Sequence, residues 1–178
     1  MHVSRRSPIL GMVLLFFGCS SSEESPPPTP ARGAIELGPP VSTCAITDDT
    51  TDLEKHACLH AEKGPFANAS ASAEPSAPSI SKTHTAYTVT VAGDAQWVAY
   101  RAKEEGMYAF YSSPKVRLAV RGGSGQQLPL ACEGPTTGAC EALPYVVHAR
   151  LAANEDIRVA LYPAAAGEPF RLVIEDLD

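Results

Sequence analysis

His56 and His60 are the residues whose spacing most directly suggests chemistry. They lie four positions apart, so on a helix both imidazoles occupy one face and can share a metal ion. Asp52, Glu54 or His84 could supply further ligands for Zn²⁺ or Cu²⁺. The glutamate of a zincin motif is missing between the histidines, and two solvated histidines on a surface helix are the alternative reading. We therefore predict a chain without a required cofactor, with His56, His60 and His84 as the alternative metal ligands.

The five cysteines form an odd set. Paired cysteines come in even numbers, so one should have a separate role. Setting Cys19 aside leaves Cys44, Cys58, Cys132 and Cys140, which allow three pairings. We expect the local pairing, Cys44 with Cys58 and Cys132 with Cys140, in an oxidising compartment.

Cys19 follows a segment with the features of an export signal. Arg5 and Arg6 precede an apolar run over 9–17 that is interrupted only by Gly11, the order expected of a signal peptide. A spanning helix needs about 20 apolar residues. We predict that residues 1–18 are a signal peptide that is removed.

The sequence Phe16-Phe17-Gly18-Cys19 resembles the lipobox of bacterial lipoproteins. The resemblance implies cleavage by signal peptidase II and acylation of Cys19 with palmitate-type chains. By analogy with lipoprotein sorting, Ser20 implies the outer membrane, on its periplasmic side or at the cell surface. Arg5-Arg6 also resembles a twin-arginine signal, so the export route stays open.

Residues 19–40 are rich in Ser, Pro, Glu and Thr, and 26–30 carry four prolines. Such composition predicts an extended, disordered tether. The formal charge of −6 offers no basic surface, so a nucleic-acid partner is not expected. The predicted partners are the membrane, through the lipid, and an envelope protein or glycan.

Residues 41–83 predict a short helix and a connecting collar. Threonine and aspartate before Leu53 indicate a helix start, and Gly64-Pro65 indicates its end. We expect one helix over about 50–62, held by a disulfide. Residues 67–82 have almost no large apolar side chain, so they predict a linker or an extended strap across the domain.

From His84 to Asp178 the apolar residues alternate with polar ones, as in strands with one buried face. Turn signals separate the segments, for example Ser113-Pro114 and Asn154-Glu155-Asp156. The pattern predicts a mainly β fold, a small antiparallel β-sandwich. Seven strands are expected, over 87–91, 96–103, 107–111, 116–120, 143–150, 157–161 and 170–174.

Gly106-Met107-Tyr108 opens one of these strands, and a Cys132/Cys140 pair follows late in the sequence. With this order of strands, the region is similar to the bacterial pre-peptidase C-terminal domain. The resemblance implies a jelly-roll-like sandwich over residues 84–178. It also implies an alternative role as an accessory domain of a secreted-enzyme system.

Catalytic patterns are not recognisable in the sequence. Gly123-Ser124-Gly125 is the nearest approach to a nucleophile elbow, and it lies in a hairpin turn without a helix signal. A sugar-stacking face could be formed by five aromatic residues, Trp97, Tyr100, Tyr108, Phe110 and Tyr111. The alternation of side chains along the strands points alternate members of this set inward, so core packing is favoured. We therefore expect a non-catalytic binding or structural module whose ligand-binding residues the sequence leaves open.

Overall fold

A computed structural model describes residues 41–72, 79–90, 96–113, 116–163 and 169–177. The predicted signal peptide, Cys19 and the tether over 19–40 lie outside these ranges. Among the described residues, no helix has the length and apolar content to cross a membrane.

Two β-sheets and one helix make up the described part of the chain. The six-stranded sheet has the order β1-β3-β10-β5-β8-β7, and the four-stranded sheet has the order β2-β4-β9-β6. This arrangement confirms the predicted mainly β, sandwich-like fold. The elements are α1 (Asp48–Lys63), β1 (Phe66–Ser70), β2 (Ser79–Ile80), β3 (Ala86–Thr90), β4 (Gln96–Arg101), β5 (Gly106–Ser112), β6 (Val116–Arg121), β7 (Leu130–Pro135), β8 (Tyr145–Leu151), β9 (Asp156–Pro163) and β10 (Phe170–Asp176).

The seven predicted strands correspond to β3, β4, β5, β6, β8, β9 and β10. Their alternating apolar residues form the main core. Leu118, Val159 and Ile174, for example, each expose 1% or less of their surface to solvent. Because successive strand residues point to opposite faces, the period-two pattern was enough to place these strands.

Strands β1, β2 and β7 were not predicted. The stretch predicted as a linker or strap pairs in parallel at both ends, β1 with β3 and β2 with β4. The two sheets are therefore antiparallel except at these pairs. β7 pairs with β8 across an irregularity between Leu130 and Cys132, which disrupts the alternation that would have revealed it.

Helix α1 begins two residues earlier than predicted and ends as expected before Gly64. Thr47 and Thr50 form a capping box, each side chain bonding the other's backbone N–H. Ala57 and Ala61 are fully buried and pack with Val173 and Tyr111. The helix thus covers the face of the six-stranded sheet that points away from the main core.

The predicted disulfide pairing is wrong. Cys44 bonds to Cys132, and Cys58 bonds to Cys140. Cys58 lies 11 residues beyond the helix cap Thr47, about 16 Å along the axis, whereas bridged Cα atoms lie within about 7 Å. The segment before the helix instead runs beside β7, where Glu133 N–H donates to Ser42 O at 3.0 Å, and this places Cys44 next to Cys132.

Candidate metal centre

Four side chains from three parts of the fold meet at one end of α1. They are His56 and His60 from the helix, His84 from the segment before β3, and Glu175 near the end of β10. One donor atom from each lies within 4.8 Å of the others. The structure therefore brings together the three histidines that the sequence singled out, and it adds a carboxylate.

The packing of α1 explains why both helical histidines face β10. Ala57 and Ala61 lie against the sheet, so the residues one position earlier, His56 and His60, lie along one edge of the contact. Glu175 extends from β10 toward that edge. The Arg171 guanidinium, on the same face of β10, donates to the carbonyl of Ala61 at 2.5 Å and holds the C-terminal part of the helix in place.

Hydrogen bonds determine which ring nitrogens of His56 and His60 carry protons. His60 Nδ1 lies 2.9 Å from the carbonyl oxygen of Gly64, which can only accept, so Nδ1 donates. His56 Nδ1 lies 3.1 Å from Glu175 Oε2, and an ionised carboxylate also only accepts. In the neutral form of each ring, this arrangement leaves the lone pair on Nε2.

These two Nε2 atoms face each other at 3.3 Å. Two lone pairs at this distance repel unless a cation or a shared proton lies between them. Tetrahedral Zn²⁺ has Zn–N bonds of about 2.0–2.1 Å, which separates two nitrogen ligands by about 3.3–3.4 Å. The observed spacing is the edge length of a zinc site.

His84 and Glu175 have polar atoms that the protein leaves unsatisfied. The backbone of His84 has φ +53°, in the left-handed region, and its backbone N–H donates to the carbonyl oxygen of Ile174 at 3.0 Å. His84 Nδ1 lies 2.6 Å from Glu175 Oε2, yet it makes no hydrogen bond of acceptable geometry. Glu175 is fully buried, and its Oε1 also has no partner among the described residues. Buried polar atoms without a protein partner are rare, and both of these atoms are types that ligate transition metals.

No protein-family model matches this chain, and no curated protein matches it. The resemblances to bacterial lipoproteins and to the pre-peptidase C-terminal domain therefore stay predictions from the sequence.

Asp52 and Glu54, the other predicted ligands, are not part of the cluster. Asp52 is exposed and pairs with Lys55 at 2.8 Å. Glu54 is buried, and its carboxylate accepts from the N–H groups of Thr137 at 2.7 Å and Cys140 at 3.1 Å. Glu54 lies on the helix edge that carries Cys58, away from the histidines, so its role is to bind the loop after β7.

Glu175 was missed by sequence reasoning. In the alternating pattern of β10 it occupies a position that should face water. The helix covers this face, so Glu175 is buried beside Val173 on the strand's helix-packed side. The signal in the sequence that could have drawn attention to it is the pair of consecutive acids, Glu175 and Asp176, at the end of the last strand.

Tyr111 lies beneath the helix between the two buried carboxylates. Burial raises the pKa of its hydroxyl, and the negative charges of Glu54 and Glu175 raise that pKa further. Tyr111 therefore stays neutral at physiological pH, and it supports the helix as a packing residue.

The other residues considered for chemistry have structural roles. Tyr100, Tyr108 and Phe110 are buried in the main core, as expected for alternate positions, and Tyr111 is buried on the other face of its sheet, beneath α1. Trp97 lies outside the main core, with the Arg121 guanidinium 5.1 Å from its ring centre. Ser124 lies in the turn after β6. No shared aromatic face exists among these described residues.

Proposed function

We propose that this protein is a lipid-anchored binding protein of the bacterial outer membrane whose body binds a divalent transition-metal ion, Zn²⁺ or Cu²⁺. His56, His60, His84 and Glu175 would hold the ion. The observation that carries the proposal is the pair of Nε2 lone pairs 3.3 Å apart, with both Nδ1 atoms committed to oxygen acceptors.

The donor set favours particular metals. Three imidazole nitrogens and one carboxylate suit Zn²⁺ and Cu²⁺, whereas Mg²⁺ and Ca²⁺ prefer shells of oxygen. Hydrogen bonds to the second nitrogen of a ligating histidine are usual in metal sites, since they fix the ring's orientation and tautomer. Gly64 O supplies such a contact to His60, whereas Glu175, which contacts His56 Nδ1 in the metal-free chain, would have to release His56 in order to bind the ion.

The arrangement favours binding over catalysis. Four protein donors can complete a tetrahedral shell, whereas catalytic zinc sites keep one position for water or substrate. The side chains of His56 and His84 are 46% and 41% exposed, so an ion can enter from solvent without unfolding of the body.

The predicted location agrees with the cysteine chemistry. Both disulfides of the described body are of the kind that persists in oxidising compartments. The lipid anchor at Cys19 and the outer membrane are inferred from the lipobox resemblance, and the disulfides support export from the cytoplasm.

Calorimetric titration of Zn²⁺ and Cu²⁺ into the full, metal-free chain in mild detergent tests the metal proposal. We expect one ion per chain with Kd below about 10 μM, and at least a hundredfold weaker binding in the His56→Ala/His60→Ala variant, because the loss of two ligands removes half of the shell. His148→Gln, which changes a histidine outside the cluster, is the matched control and should bind normally. Weaker binding by the native chain, or equal binding by the double variant, would rule out the metal site and leave a shared proton between the rings.

A further inference from the structure

We infer that Asp176 is a positioning residue for the metal centre, acting through His84 to make Nδ1 the metal-binding atom. This inference rests on the proposed metal-binding function and extends it to the residue that orients the third imidazole.

Glu175 and Asp176 are consecutive residues at the end of β10, so their side chains leave the strand on opposite faces. The His84 ring lies across this strand end. Its Nδ1 is 2.6 Å from Glu175 Oε2, and its Nε2 is 3.7 Å from Asp176 Oδ2. The imidazole is thus placed between two carboxylates, one at each nitrogen.

A neutral imidazole has one N–H, and the two carboxylates compete for it. With the proton on Nδ1, His84 would donate toward Glu175 and could not ligate an ion beside that carboxylate. With the proton on Nε2, His84 points an N–H toward Asp176 and a lone pair toward the cluster. Asp176 favours this second tautomer.

The 3.7 Å separation is longer than a direct hydrogen bond, and a small rotation of the ring would shorten it. Asp176 lines a polar cavity with Ser81, Thr83 and Tyr108, so water has access to this position. Asp176 and His84 are both partly exposed, which leaves the ring room to adjust.

The same device is present at the other two histidines. His60 has the Gly64 carbonyl beside Nδ1, and His56 has the Glu175 carboxylate beside Nδ1. Asp176 is the corresponding acceptor beside His84 Nε2, and the other nitrogen of His84, Nδ1, faces the cluster at the Glu175 carboxylate. This pattern of oriented ligands is what a preorganised metal site requires.

Substitution of Asp176 tests the inference, with Zn²⁺ as the probe and the full chain in mild detergent. Asp176→Ala should weaken Zn²⁺ binding about 10–100-fold, the usual effect of removing such a partner. Asp176→Asn keeps an oxygen acceptor and should lose less. Asp156→Ala is the control, because it removes another exposed carboxylate, paired with Arg101, and it should bind Zn²⁺ as the native chain does.

Imidazole ¹⁵N NMR distinguishes positioning from a general structural effect. In the Zn²⁺-bound native chain we expect His84 to coordinate through Nδ1 with the proton on Nε2. In the metal-free chain we expect His84 to carry its proton on Nε2, and in metal-free Asp176→Ala to populate both tautomers. Unchanged affinity in Asp176→Ala, or coordination through Nε2 in the native chain, would overturn the role of Asp176 while leaving the metal site in place. Failure of the native chain to bind any metal would instead overturn the proposed function and this inference with it.

Discussion

His148 lies on β8, largely buried, with a ring nitrogen within 4.8 Å of the sulfur atoms of Cys44 and Cys132. Burial lowers the pKa of this imidazole from its ordinary value of 6.5, because a charged ring would lose its hydration. The folded protein therefore holds His148 neutral under conditions in which the unfolded chain would protonate it.

This difference predicts a pH dependence of stability. Below about pH 6.5 the unfolded chain binds a proton that the folded chain does not, so the free energy of unfolding falls as pH is lowered, until the folded-state pKa is reached. One such group contributes at most about 1.4 kcal/mol per pH unit. Urea unfolding of the metal-free protein at pH 7.5 and 5.5 should show a larger loss of stability for the native chain than for His148→Gln. Equal losses in the two proteins would contradict this assignment.

The residues of the site were only partly predictable. His56 and His60 follow from helical geometry, because a spacing of four places side chains on one face. His84 and Glu175 join them through contacts between elements distant in sequence, and local pattern carries little information about such contacts. For Glu175 in particular, the alternating pattern of β10 predicts a solvent-facing side chain, and only the position of α1 on the sheet shows that it is buried.

At the scale of elements, α1 is held at both of its edges. The Cys58–Cys140 disulfide and the buried Glu54 carboxylate attach one edge to the loop after β7. The other edge carries the two histidines that face β10. The helix supplies half of the proposed metal ligands, so its position on the sheet should determine the geometry of the site.

Removal of the Cys58–Cys140 bridge should therefore affect both stability and metal binding. The Cys58→Ser/Cys140→Ser variant should lose about 2–5 kcal/mol of unfolding free energy, since the bridge closes a long loop, and should bind Zn²⁺ several-fold more weakly than the native chain. Urea unfolding and calorimetric titration measure the two effects.

The Cys44–Cys132 bridge provides the matched control. Its sequence separation of 88 residues is close to the 82 residues of the other bridge, so its removal should cost similar stability. It holds the chain ahead of the helix and does not attach the helix itself, so Zn²⁺ affinity should change less. Equal losses of affinity in the two double variants would show that the helix-attached bridge has no special connection to the site.

The elements themselves were predictable where side-chain alternation is strong. The seven alternating segments all form strands, whereas β1, with the sequence Phe-Ala-Asn-Ala-Ser, has small side chains and lies at a sheet edge. Its pairing with β3 comes from backbone hydrogen bonds, which any sequence can supply. The pairing of the cysteines depended equally on where α1 packs, and the local sequence does not encode this.

At the scale of the whole molecule, the predicted anchor determines where a bound metal would be held. Each buried CH₂ of an acyl chain contributes about 0.8 kcal/mol, so one chain binds a membrane only marginally, and two or three hold the protein firmly. The net charge of −6 gives the protein no electrostatic attraction to anionic lipid. Attachment should thus depend on Cys19 alone.

We therefore expect one substitution, Cys19→Ala, to remove both acylation and most of the membrane attachment. In a Gram-negative host fed radiolabelled palmitate, the native chain should be labelled and should sediment with membranes, and Cys19→Ala should lose the label and at least tenfold of its membrane-bound fraction. Ser20→Asp is the matched control. It should keep the label, because the acylated thiol is intact, and by analogy with lipoprotein sorting it should move to the inner membrane. Label that survives in Cys19→Ala would mean that another residue is acylated. Membrane attachment that survives without label would mean that another part of the chain binds the membrane, and since the acidic body offers no electrostatic attraction, that part would have to insert apolar side chains.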